Sequence, residues 1–237
     1  MRGGSPFHKL VILYRDHRLV AIHKPAGHHV HPSPLAPGED NCQRILRGQL
    51  GRWVWPVHRL DRATSGVQLF ALSAAEARRI SLLFAQRQVR KEYLAVVRGF
   101  VPESGRIDHP LRETASAPPA EAVTRFRRLA TIDWPAPAGK HPTARFSLAE
   151  AIPETGRRNQ IRRHLHHLSH PVIGDVNFGD GVQNRYFREH FGLRRLLLMA
   201  ARLTIPEPGG ASALVIEAPL PPELTALFEK FGWPTPI

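Results

Sequence analysis

One cysteine, Cys42, stands among 237 residues, so no internal disulfide and no cysteine-rich zinc module can form. Without an oxidative framework, a reducing cytoplasm is the expected compartment. Lysine is also scarce: only five of the 33 Lys and Arg residues are lysine. No apolar run approaches the roughly 20 residues that a membrane-spanning helix needs. The early apolar stretch at 10–14 is too short for a signal-peptide core, so no membrane partner is expected. No phosphate-cradling G-x-x-x-x-G-K-[S/T] loop is present, and no G-x-G-x-x-G follows a strand pattern, which argues against nucleotide-cofactor chemistry. A cofactor-free protein is therefore expected.

What is abundant is arginine. Lys plus Arg exceed Asp plus Glu by 33 − 20 = 13, and 28 of the 33 cations are Arg. Guanidinium forks match phosphate oxygens in bidentate fashion, so this surplus points toward a phosphate polyanion. With 42% hydrophobic and 22% charged residues, the chain can also bury a sizeable core.

Periodicity predicts a hairpin from strands at 10–14 and 19–23, then Lys24-Pro25-Ala26-Gly27 and a His- and Pro-rich loop reaching Gly38. Residues 53–60 read as extended and 67–72 as a buried strand. Ser73-Ala74-Ala75-Glu76 has capping-box spacing, and Ala77, Ile80, Leu83 and Phe84 follow at helical intervals. A strand at 91–98 stops at Gly99. Proline-rich stretches at 115–120 and 134–142 flank a β-like run at 123–132. A helix is expected over 158–168, stopped by Ser169-His170-Pro171. Strands at 196–205 and 214–216 and a closing helix at 222–231 complete an α+β pattern with no strict βαβ rhythm.

Chemistry concentrates in His58-Arg59-Leu60-Asp61-Arg62-Ala63-Thr64-Ser65-Gly66. A carboxylate lies between two arginines just before a tight turn. Strand alternation would put His58, Leu60 and Arg62 on one side and Arg59 and Asp61 on the other. Cationic neighbours favour the ionised form that a nucleophile or base requires. A structural Asp capping the turn, or one in a surface ion pair, fits the same residues.

This nine-residue run resembles the signature of the RluA-type pseudouridine synthases, which isomerise uridine within RNA. The segment 20–27, with Lys24-Pro25-Ala26-Gly27, is similar to that family's N-terminal lysine-proline-glycine segment. Lys91-Glu92-Tyr93-Leu94-Ala95-Val96-Val97-Arg98-Gly99 resembles its second motif. Residues 155–165 and Pro171-Val172-Ile173-Gly174-Asp175 resemble the third. The likeness runs in order from about residue 10 to 203.

The resemblance implies a mixed, mainly antiparallel sheet with flanking helices and loops and a central active-site cleft. It also implies one catalytic domain over 1–237 without a separate N-terminal RNA-binding domain. Asp61 matches the essential aspartate that attacks or deprotonates the ribose. Tyr93 matches the tyrosine that stacks on the flipped base and takes the C5 proton. Arg162 matches the arginine paired with that aspartate, and Arg59 the arginine that enters the RNA stack where the base was. Leu198 is the candidate apolar floor under the uracil. The chain departs from the family where Asn159 and Met199 replace histidines. Among compact members, residues 135–145, Gln183-Asn184-Arg185, His190-Phe191-Gly192-Leu193 and Phe231-Gly232-Trp233 look most like the tRNA-modifying C type. That type implies tRNA as the partner, with its uridine 65 as target, and a monomer is expected.

Three rival readings remain at this level. His28, His29 and His31, with His164, His166, His167 and His170, could form a metal cluster, but no acidic partner sits at H-E-x-x-H spacing and no metal is expected. A non-catalytic RNA binder would share the charge and form no product, and a pseudouridine synthase acting on ribosomal RNA would share the reaction but not the substrate.

Overall fold

The computed structural model describes residues 9–32, 38–135, 142–207, 209 and 212–236. Parts of the His- and Pro-rich loop (33–37) and of the second proline-rich stretch (136–141) lie outside them. The chain divides into two compact units, residues 1–89 with 202–218, and residues 90–201 with 219–237. Every strand register described is antiparallel, and helices flank the strands, giving the expected α+β class.

In the first unit β1 (Val11–Arg15) folds back on β2 (Leu19–Lys24), and β2 pairs with β4 (Ser65–Ala71) from Leu19↔Ala71 to Lys24↔Gly66. The Asp16 carboxylate closes the first hairpin by accepting the Arg18 and Leu19 N–H groups at 2.7 and 2.6 Å. All seven β4 residues are buried, so this strand carries core on both faces. The short β3 (Trp55–Pro56) lies on β4. Helix α2 (Ala74–Ala85) starts where the cap predicts, with Ser73 Oγ accepting the Glu76 N–H at 3.2 Å. Glu76 turns to Arg79 instead of closing the box. An unforeseen helix, α1 (Cys42–Leu50), begins at Asn41, whose side chain accepts from the Arg44 N–H, and ends at left-handed Gly51. Cys42 is buried within it, and burial pushes its thiol up to about 11, which keeps it protonated and inert.

The second unit is built on β5 (Arg90–Arg98), β8 (Ala144–Pro153), β7 (Val123–Trp134) and β6 (Ser104–Asp108), paired in that order. β6 and β8 were not legible from periodicity. Helices α3 (Gln160–His167), α4 (Gly181–Phe191) and α5 (Pro222–Phe231) complete it. An aromatic cluster of Phe146, Phe187, Phe191 and Phe231 ties β8, α4 and α5 together. Trp134 joins it through its ring and through an indole N–H bond to the Tyr186 hydroxyl. β9 (Leu198–Pro206) contributes residues through Ala201 here, while its Arg202–Pro206 half pairs with β10 (Ala213–Glu217) in the first unit.

Helix α3 docks on β7 through buried polar groups. The Gln160 amide donates to Val123 O and Thr124 Oγ1, and its oxygen accepts from Thr155 and the Arg157 N–H. His164 is fully buried, with Nε2 against His109 O and Nδ1 against Thr124 Oγ1. Burial pushes its pKa below the ordinary imidazole value. The folded state thus refuses a proton that the unfolded chain accepts near pH 6.5, so His164 stabilises the fold above that pH and costs stability as pH falls. Urea unfolding at pH 7.5 and 5.5 should show a larger loss for wild type than for His164→Gln. Identical pH slopes would contradict this.

Candidate active site

In the first unit the segment around Asp61 is not a strand. Only Trp55–Pro56 pairs regularly, and the alternation expected through 58–62 is replaced by turns. The reason is a side chain that takes the place of a partner strand. The Gln68 amide oxygen accepts the Leu60 N–H at 3.2 Å, and its nitrogen donates to His58 O at 2.9 Å. His58 Nε2 accepts the Leu69 N–H at 3.0 Å, and its ring stacks on Phe84 at 4.7 Å. Leu60 points into the core, while Arg59 and Arg62 are both exposed and Asp61 is half-buried. Arg62 therefore leaves the face expected for it. It donates to Gly27 O and pairs with Glu39.

Asp61 sits on a turn closed by the Thr64 N–H bonding to Asp61 O at 3.1 Å. The turn is pinned from below by Lys24, a fully buried cation. Its Nζ donates to the carbonyls of Pro25, His28 and Arg62 at 3.0, 2.8 and 3.1 Å. The Gly27 N–H adds a bond to Arg62 O at 2.8 Å, which clamps the Lys24–Gly27 loop onto the residue after Asp61. Gly27 can make that turn because its φ is +89°, a region closed to most side chains. Sequence pattern marked Lys24-Pro25-Ala26-Gly27 without revealing its work, because a lysine placed at the end of a buried strand ordinarily snorkels outward. Lys24→Met leaves buried carbonyls without their donor and should lower stability by about 3 kcal/mol. Urea titration checks this, and a loss under about 0.5 kcal/mol would contradict it.

In the second unit Arg162 is buried to 6% exposure on α3. Its Nε and Nη2 make a two-pronged bond to the carboxylate of Asp175, both at 2.6 Å, and its Nη1 donates to Asn159 Oδ1 at 2.8 Å. The Phe178 ring lies 5.3 Å from the guanidinium. Burial opposes ionisation of Asp175, but Arg162 and the N–H groups of Phe178 and Asn177 overcome it and hold the carboxyl below its usual range. Asn159, one of the two departures from the family pattern, is thus in direct contact with the matched arginine. It stands at the α3 N-cap with φ 55°, a left-handed conformation that Asn tolerates well. The loop carrying Asp175 depends on Gly174 at φ +80°, where an added Cβ would lie 1.9 Å from Arg195 O.

Tyr93 is half-buried on β5, opposite Ala151 of β8, and shares its strand face with Lys91. Lys91 Nζ donates to Thr155 O at 3.0 Å. Leu198 opens β9, 3% exposed, followed by fully buried Met199. The second departure therefore puts an apolar side chain in an apolar strand. The histidines have other partners: His166 bonds Phe178 O, His170 bonds Arg98 O, and His167 stacks on His109 at 4.0 Å. Among the described residues no group of three or more His, Cys, Asp or Glu could hold a metal ion. Nor is any helix there long and apolar enough to cross a membrane.

The chain is similar to known proteins over most of its length. The family described as RNA pseudouridylate synthase matches residues 18–167. A Haemophilus ducreyi protein named tRNA pseudouridine synthase C is 45% identical over 235 residues, covering 95% of this chain and 97% of its own. The Vibrio cholerae protein of the same name is 43% identical, with 94% and 96% covered. Among solved structures, human RNA pseudouridylate synthase domain containing 1 superposes with a TM-score of 0.72 at 26% identity, over 93% of this chain and 87% of that one.

Proposed function

The chain belongs to the RNA pseudouridylate synthase family, and we propose that it isomerises one uridine of tRNA, position 65 in the stem below the TΨC loop, acting as a single cytoplasmic catalytic domain. The observation that carries the tRNA reading is full-length similarity at 43–45% identity to relatives named for that substrate. The basic balance of +13 supports a polyanionic partner.

The reaction breaks the N1–C1′ bond and forms C5–C1′. C5 loses a proton and N1 gains one, so composition is unchanged and no cofactor enters the balance. We assign the attack on the ribose, or its deprotonation, to Asp61. Its turn is held by Gln68, His58 and Lys24, which restrict the backbone that aims it. Tyr93 stacks on the uracil and takes the C5 proton. Arg162 supplies a fixed positive charge, oriented by Asp175 and Asn159. Arg59, exposed on the same turn, replaces the departed base in the stack, offsetting part of an unstacking cost of a few kcal/mol. Leu198 supplies apolar surface under the uracil.

Carbodiimide adducts that survive alkali mark pseudouridine, and reverse transcription across treated tRNA transcripts locates them. One stop at position 65 is expected. Stops in ribosomal RNA and none in tRNA would keep the family's reaction and replace the substrate.

A further inference from the structure

We propose that a groove at the end of α1 is a second RNA-contact surface, holding backbone phosphates on Arg44, Arg47, Arg52 and Lys9 and a nucleobase against Trp53. The inference rests on the RNA substrate of the reading above and concerns residues that take no part in its chemistry. The groove encloses about 830 Å³, and all four of its charged lining residues are cations. Arg44 reaches Asp40 at 3.3 Å, whereas Arg47 and Lys9 meet no carboxylate among the described residues. Trp53 is 47% exposed, a large apolar ring left in water, with the Arg47 guanidinium 4.5 Å from its centroid and Trp55 edge-on at 6.4 Å. A planar cation beside an exposed indole is the combination that receives a base by stacking and its phosphate by charge.

Two further features keep this surface open and placed. Gly48 lies inside a nine-residue helix, where glycine costs roughly 1 kcal/mol against alanine. Yet a Cβ there would meet nothing within 4 Å, so packing does not require the glycine and the groove floor stays clear. The Gln49 amide takes both the N–H and the carbonyl of Leu10, at 2.9 and 3.1 Å, which sets Lys9 at the rim.

The test is binding of fluorescent tRNA by anisotropy between about 50 and 200 mM salt. Arg47→Ala with Trp53→Ala should weaken binding about tenfold and make the log–log salt slope shallower by about 0.7–0.9, one phosphate contact. Gly48→Glu, which adds a carboxylate to open space, should weaken binding comparably while the thermal unfolding midpoint stays at or above the wild-type value. The single-turnover rate at saturating tRNA should be unchanged in both. Wild-type affinity and slope in both variants would overturn the proposal, as would a fall in saturated rate without a fall in affinity. If wild type forms no pseudouridine in tRNA, the tRNA assignment fails, while the binding comparison still decides the groove.

Discussion

Asp61→Asn is expected to cut pseudouridine formation by at least about 10²–10⁴-fold, the scale of losing a general base, and by more if the carboxylate is a nucleophile. Asparagine keeps the volume of the side chain and removes only its charge and basicity. The surrounding turn is held by bonds the substitution does not touch. Thr64 N–H bonds the backbone carbonyl of residue 61, Gln68 holds Leu60 and His58, and Lys24 holds Arg62. The variant should therefore still fold cooperatively, with the backbone bonds of the turn in place. Nucleoside analysis of digested tRNA reads the activity, and urea titration reads the fold. Retained turnover with intact folding would remove Asp61 from the chemistry.

Asp175→Ala should produce the largest loss of stability, about 3–5 kcal/mol, because it removes the two-pronged carboxylate bond that holds the buried Arg162 guanidinium. The N–H groups of Asn177 and Phe178 lose their acceptor as well. The pH dependence has a definite sign. The Asp175 pKa is depressed in the fold, so its stabilisation is present above about pH 4 and lost as pH falls through the folded value. Asp175→Leu combined with Arg162→Met separates structure from function. Apolar replacement of a whole buried pair is often neutral or stabilising, so stability should largely return. Activity should not, because the cation assigned to the site is gone. Recovery of both would reduce Arg162 to a structural role.

Much of the scaffold was legible because its local signals agreed. The closing helix falls on 222–231 as read, with Pro near its start and left-handed Gly232 after its end. The Ser73 cap placed α2, and the early hairpin and β4 appear within a residue or two of their expected bounds. Helix α1 escaped because it buries only Cys42, Ile45 and Leu46 and carries Gly48, so its apolar stripe is thin. Helix α4 had readable punctuation in Asp180 and Gly192, but its apolar positions are few. β6 buries a single residue, Ile107, which gives period-two patterning nothing to act on. The motif around Asp61 was legible as a sequence, yet its conformation was not, because Gln68 supplies from a side chain what a neighbouring strand would otherwise supply. The Arg162–Asp175 pair spans 13 residues across left-handed positions at Ser169 and Gly174, a return path that no periodicity announces.

The most direct measurement is tritium release from tRNA transcribed with uridine labelled at C5, under wild-type protein and under Asp61→Asn. Joining C5 to C1′ expels the C5 hydrogen, so release counts isomerisation events. Release approaching one tritium per tRNA is expected with wild type, and release at least about 10²-fold slower with Asp61→Asn. Tight tRNA binding with no release from wild type would contradict this.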